Sequence, residues 1–167
     1  MAQVDQHVLD VLRAEVSDLR KKAATVMDRL TDEQLNWRPN ADTNSVANLA
    51  VHLAGNLRQR IVSGLGGAPD LRNRDAEFDE KLHMTRDQVL AVWTPALDEA
   101  QRVLADLSAD RLLAPQKVRN QDATVLALLV MVVTHLSEHV GQMVYIAKLQ
   151  LGEGFQTLSV PKKKTST

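Results

Sequence analysis

An all-α fold, a four-helix bundle, is what this sequence predicts, and three observations predict it. Four segments carry apolar residues at steps of three and four, no stretch alternates as a strand would, and glycine and proline fall mainly between the segments. At 167 residues the chain is the size of one ordinary domain, long enough to bury a core without disulfide or metal staples. The expected organisation is a single domain over residues 1–160 and a disordered tail over 161–167.

The first helix follows from Val8, Leu12, Val16, Leu19, Ala23, Val26 and Leu30, which recur on one face with charged residues between them. It ends before Thr31-Asp32-Glu33-Gln34, a capping box that opens only a short turn because Pro39 follows. Trp37 in that loop reads as a plug on one end of the core, with ligand stacking as the alternative. Asn44 or Ser45 caps the second helix, Val46 to about Ser63, which Gly64, Gly66 and Gly67 stop. Its apolar face is Val46, Ala50, Leu53, Ala54, Leu57 and Ile61. Opposite runs a second stripe, Asn48, His52, Asn56 and Gln59, with amides and one imidazole but no charge. Two readings stand for that stripe, a face left to water or a polar cleft between helices.

Residues 64–84 form a long connection of weak pattern, of a kind that is usually functional or disordered. Within it Asn73, Arg74, Asp75, Glu77 and Phe78 could form a lid or a dimer contact, or could close the end of the bundle; His83 is an exposed loop histidine. Thr85-Arg86-Asp87-Gln88 is a second capping box, opening a third helix through Val89, Leu90, Trp93, Leu97, Val103, Leu104 and Leu107. Pro95 inside it removes a backbone hydrogen bond and should kink it near Ala91 to Thr94, beside a core Trp93. After a loop with Pro115, Asp122 caps the fourth helix, which is apolar from near Ala123 to near Leu149. That helix is hydrophobic nearly all round in its first half, so it is central in the fold or half of a subunit interface, and a homodimer is expected.

Composition excludes several functions. A formal charge of -1, with acidic and basic residues interspersed, leaves no footprint for nucleic acid. Lys162 to Lys164 read as part of a disordered end rather than a binding arm. The start, MAQVDQHVLD, lacks the pattern of a secretory signal, and the run Ala123 to Val133 is shorter than the roughly 17 to 25 residues that span a bilayer. No membrane partner is expected. The absence of cysteine removes disulfides, thiolate ligands and a cysteine nucleophile, and is compatible with a cytoplasmic location. No Gly-rich phosphate loop, serine elbow or paired-carboxylate site is visible.

What remains is Thr134-His135-Leu136-Ser137-Glu138-His139. Two histidines four apart on a helix lie about 40° apart around its axis, so their side chains reach one point. Leu128, Met131, Val132 and Ile146 fall on the same face, which makes the pair a polar island in an apolar surface. Imidazoles there need partners, and a shared metal ion would satisfy both. Bundle metal sites draw ligands from neighbouring helices, and His52 is the other histidine placed mid-helix, with His7 a weaker candidate. Three neutral imidazoles would leave a divalent ion with its full charge and an open position, the layout of a catalytic site. Such an ion lowers the pKa of bound water or of a thiol, and with no cysteine here a thiol must come from a small-molecule co-substrate. Glu138 could orient a ligand, act as base or sit in a salt bridge. Gln142, within roughly 20° of His135, is the better candidate to orient one.

Two stretches together, Asn44-Ser45-Val46-Ala47-Asn48-Leu49-Ala50-Val51-His52-Leu53-Ala54-Gly55-Asn56 and Thr134 to Gln142, resemble the DinB-like (YfiT-like) superfamily of metal-dependent proteins. Asn73 to Phe78 and Phe155 to Pro161 are similar to an uncharacterised branch of it, although Lys162 to Thr167 depart from that branch's usual ending. The resemblance implies an up-down-down-up bundle, often dimeric, with nickel or zinc on His52, His135 and His139. It also implies, for some members, S-transfer or isomerisation with a low-molecular-weight thiol. Two functions follow as expectations. One is an enzyme in which the ion activates a thiol or water against a small electrophile. The other is a non-catalytic bundle whose ion is structural or binds a small ligand.

Overall fold

In a computed structural model of the protein, residues 2–118 and 121–158 are described, with Val118 by its backbone alone. The expected tail over 161–167 lies outside the described residues. Helix α1, Ala2–Asp28, buries Leu9, Val16, Leu19, Ala23, Val26 and Met27, and Leu30 is buried in the turn beyond its end. Helix α2, Asp32–Asn36, is the single turn that the Thr31 capping box opens, and Gln34 closes that box from its side chain. Asn36 then bridges to the other side of the loop, accepting from Met84 N at 2.9 Å and donating to Met84 O at 2.8 Å. Leu35 is the plug here; Trp37, which caps α2 in extended conformation, is 39% exposed, so the expected plug sits two residues earlier.

Helix α3, Val46–Leu57, starts on Ser45, whose hydroxyl accepts from Asn48 N, and runs without interruption into a π-helical segment, Arg58–Ser63. Helix α4, Arg74–Glu77, is a short turn in the long connection, and α5 spans Arg86–Asp106 from its own capping box. Helix α5 is continuous through Pro95, and Trp93 is buried in the core. Two strands follow, β1, Pro115–Val118, and β2, Gln121–Thr124, paired antiparallel with Pro115 opposite Thr124 and Gln116 opposite Ala123. No strand is expected from the sequence, because two four-residue arms, PQKV and QDAT, are too short and too polar to show alternation. The hairpin also moves the start of the last helix: α6, Val125–Leu151, is capped by Thr124, not Asp122, which is paired with Lys117.

Around the bundle α1 touches α5 and α6, and α3 touches the same two, so the four long helices close a ring about one core. Buried Leu128, Leu129, Val132, Leu136, Val140 and Met143 of α6 face that core. Val130, Met131, Tyr145 and Leu149 lie on its outer side, which places Met131 away from the inward face assigned to it by angle counting. As a whole α6 is long and apolar enough to cross a bilayer, unlike the run Ala123 to Val133 alone, but α1 and α3 pack on it as on the core helix of a bundle. Beyond α6 the Phe155 ring is held between the cations of Arg29 and Lys148, each 5.6 Å from its centroid, tying residues after α6 back to the end of α1.

Candidate metal centre

The polar stripe of α3 is not a solvated face. Asn48, His52 and Asn56 are all buried, at 0%, 4% and 8% exposure. Their cover is the long connection between α3 and α5. Asn48 accepts from Ser45 Oγ and Arg38 Nη2, and its amide donates to Glu77 O and Asp79 O at 3.0 and 3.2 Å. A buried asparagine that meets four partners pins the loop onto the helix, since losing it would strand several groups.

That pinning places Glu77 over His52. The two side chains are each 5% exposed, and His52 Nδ1 lies 2.9 Å from Glu77 Oε2. Arg72 grips the same carboxylate with two parallel bonds, Nε to Oε1 and Nη2 to Oε2, both 2.7 Å, while its Nη1 donates to Gln59 Oε1 at 2.8 Å. Burial works against a charge on Glu77. The hydrogen bonds from Arg72 and His52 outweigh it and hold the pKa below the ordinary value of 4.5. The carboxylate is therefore ionised and can only accept, so His52 Nδ1 carries the proton and donates it. Arg72 Nη2 also lies 3.3 Å from His52 Nδ1, but its proton goes to the nearer oxygen.

A folded-state pKa below the unfolded one means that protonation favours the unfolded chain. The stabilisation is full above about 4.5 and is lost as the pH falls through the lowered value. Denaturant unfolding of the protein and of its Glu77→Gln variant should show a stability gap that narrows as the pH is taken down from 4.5. A gap that widens in acid would contradict the assignment.

With the proton on Nδ1, His52 presents a lone pair at Nε2, and that atom is 2.9 Å from His135 Nε2. From α6, His139 comes to the same point with its other nitrogen fixed in the same way: His139 Nδ1 donates to Gln142 Oε1 at 2.8 Å, leaving Nε2 as acceptor. The three imidazoles stand nearly edge to face, with ring centroids 4.5 to 5.0 Å apart, and one nitrogen from each lies within 4.8 Å of the others. Bonds of about 2.0 to 2.1 Å at tetrahedral angles place ligand nitrogens roughly 3.3 Å apart, so small side-chain shifts would close the set around one ion. The donor chemistry fits as well. A carboxylate on one histidine and an amide oxygen on another are the partners that fix a metal-ligating tautomer.

The site opens into a cavity of about 480 Å³ lined by Asn56, Gln59, Arg60, Arg72, Arg74 and Phe78 beside the three histidines. Phe78 packs on His52 with centroids 4.7 Å apart and closes one wall. Glu138 is elsewhere. It is exposed and lines a separate depression with Pro39, Asn44 and Tyr145, a depression that Gln142 also borders. Gln142 meets His139, three residues away, rather than His135. His7 and His83 are exposed and stand outside the cluster.

The structure adds Arg72 as an anchor and gives Glu77 the role of orienting His52. Both lie in the connection with the weakest pattern. One signal for them was in the sequence: a helix stripe with imidazole and amides but no charge needs a cover. A second was Gly55, in mid-helix. A Cβ there would run into Glu77 Oε1, and Arg72 Nε lies 3.3 Å from the same point.

Comparison with known proteins bears on the fold. A family model described as Protein of unknown function (DUF1572) matches residues 3–164. Among curated proteins none matches. The crystal structure of a DinB-like protein from Bacillus cereus ATCC 10987 superposes with a TM-score of 0.66 at 17% identity, covering 88% of this chain and 92% of that one. That of a conserved protein from Enterococcus faecalis gives 0.67 at 17% identity, covering 86% and 96%.

Proposed function

The chain belongs to the DUF1572 family and has a DinB-like fold, and from that premise we propose that it is a metal-dependent enzyme holding one divalent ion, nickel or zinc, on His52, His135 and His139. The observation that carries this reading is the pair of Nδ1 protons committed to oxygen acceptors, Glu77 for His52 and Gln142 for His139. Both Nε2 lone pairs are thereby directed at one point. A divalent ion there supplies Lewis acidity, lowering the pKa of a thiol or water placed beside it. The chain's own residues do the rest. Arg72 keeps Glu77 ionised, Glu77 holds the His52 ring in register, and Phe78 keeps water off one side of that ring. Three neutral imidazoles leave the ion's charge uncompensated, which favours an anionic nucleophile. Without a cysteine in the chain, a thiol nucleophile arrives as a co-substrate and attacks a small electrophile. The apolar outer face of α6, with Val130, Met131, Tyr145 and Leu149, supports a homodimer.

Elemental analysis of protein purified without a histidine tag tests the reading, with about one metal ion per chain as the expected result. His139→Ala should lose the ion yet keep its helical circular dichroism, since that side chain is not fully buried. A screen of low-molecular-weight thiols against small electrophiles should find turnover that chelation abolishes. Metal binding without any turnover, with a large drop in melting temperature on chelation, would instead assign a structural ion.

A further inference from the structure

The polar stripe ends at Gln59, in the π-helical segment that continues α3, and the metal reading gives that residue no part. Its surroundings hold more negative than positive groups. A second cavity, of about 460 Å³, meets the one beside the histidines at Arg72, and Asp70, Glu77 and Glu99 line it against Arg58 and Arg72. Three carboxylates thus share two guanidinium groups. Glu99 has Arg58, whose Nε donates to its Oε2 at 3.1 Å. Asp70 and Glu77 are left with Arg72, which lies two residues from the first and five from the second.

Arg72 has gone to the farther one, with Nε and Nη2 both 2.7 Å from the Glu77 oxygens. Gln59 stands between it and Asp70. Gln59 Oε1 accepts from Arg72 Nη1 at 2.8 Å, and Gln59 Nε2 donates to Asp70 Oδ2 at 2.8 Å. The loop closes on itself, since Asp70 Oδ1 accepts from the Arg72 backbone N at 3.1 Å. The Gln59 amide, and after it the Arg72 backbone N–H, holds the Asp70 carboxyl below its ordinary value of 3.8, with the charge of Arg72 adding to both. A guanidinium only donates and an ionised carboxylate only accepts, so the amide has one orientation and cannot flip. Each group that could draw Arg72 and Asp70 together is met instead by an uncharged partner.

We infer that Gln59 is a positioning residue for the metal site: by separating Arg72 from Asp70 it keeps the guanidinium on Glu77, and Glu77 in turn keeps the His52 proton on Nδ1. Without the amide, Arg72 Nη1 and Asp70 Oδ2 both lose a partner. The Arg72 side chain is 6% exposed, so its bare N–H has little access to water. An ion pair with Asp70 satisfies both groups at the expense of the two-point grip on Glu77. The His52 ring then loses its fixed acceptor, although Gln59 touches neither the ring nor Glu77. The inference deepens the proposed function and rests on it for the ion alone; the His52 tautomer belongs to the chain without metal.

The test compares the unaltered chain with Gln59→Leu, Asp70→Asn and the two substitutions together. Each protein is read first after chelation, by NMR of the imidazole nitrogens, which separates a protonated ring nitrogen from a bare one. Each is then read with zinc, in competition with a chromophoric chelator. The unaltered chain and Asp70→Asn should show His52 protonated at Nδ1 alone and should bind zinc equally. Gln59→Leu should bring the two His52 nitrogens toward averaged values and weaken zinc about tenfold. The double variant should regain the single tautomer and most of the affinity, because no carboxylate is left to draw Arg72 away. Gln59→Glu guards against a misfolded Gln59→Leu: it keeps the size and the acceptor, yet its own charge competes for Arg72, so it should free the tautomer in a way that Asp70→Asn does not rescue. Unchanged His52 nitrogens in Gln59→Leu, or a double variant no better than Gln59→Leu, would overturn the inference. A single His52 tautomer that follows this pattern in a chain that binds no zinc would uphold it and overturn the proposed function.

Discussion

Replacing Glu77 by alanine is expected to lower the unfolding free energy by about 3 to 5 kcal/mol, because it leaves the Arg72 guanidinium buried with no counter-charge. The same substitution frees the His52 ring to change tautomer and orientation, so metal affinity should fall by roughly 10- to 100-fold. Urea unfolding reads the first effect and competition with a chromophoric chelator the second. A second variant separates them. With both charges removed, Arg72→Leu and Glu77→Leu together, most of the stability should return, since an apolar pair can replace a buried ion pair. The metal affinity should stay low, since no acceptor faces His52 Nδ1. Affinity that recovers along with stability would show that Glu77 acts only as half of an ion pair.

Gly55→Ala is expected to reverse the usual sign of its substitution. In a helix interior this change ordinarily stabilises by about 0.5 to 1 kcal/mol. Here the added methyl meets the Glu77 carboxylate, which must move together with Arg72, at a cost of about 1 to 3 kcal/mol. The control is Gly141 in α6, where an added Cβ meets nothing within 4 Å. Gly141→Ala should stabilise, and its metal binding should be unchanged. Thermal melts of the two variants side by side decide the matter; a stabilised Gly55→Ala would mean that Glu77 has room to spare.

Much of the fold could be read along the chain because it depends on local periodicity and capping. Both capping boxes lie where Thr31 and Thr85 predict them, and Val46 to about Ser63 matches α3 with its π-helical extension. The differences arose where local signals were short or ambiguous. The hairpin has arms of four residues, too few for a period to show. Trp37 and Leu35 sit two apart in a turn, and which of them is covered depends on how α2 packs on α3.

His135 and His139 were legible as a pair because an i, i+4 spacing on a helix is a geometric fact of the sequence. So was the strangeness of the stripe from Asn48 to Gln59, a helix face with donors and acceptors but no charge. What covers that stripe was not legible, since Glu77 lies 25 residues from His52 and meets it through a connection of weak pattern. A contact of that range is decided by how the loop lies back on α3, through Asn48 and the space left at Gly55. The sequence by itself therefore determined the long helices, the capping boxes at Thr31 and Thr85 and the two histidines of α6, because each depends on neighbours within a turn. Only the tertiary structure decided that His52 joins them in a fixed tautomer under a buried carboxylate. Tautomer and burial depend on atoms brought together across the bundle.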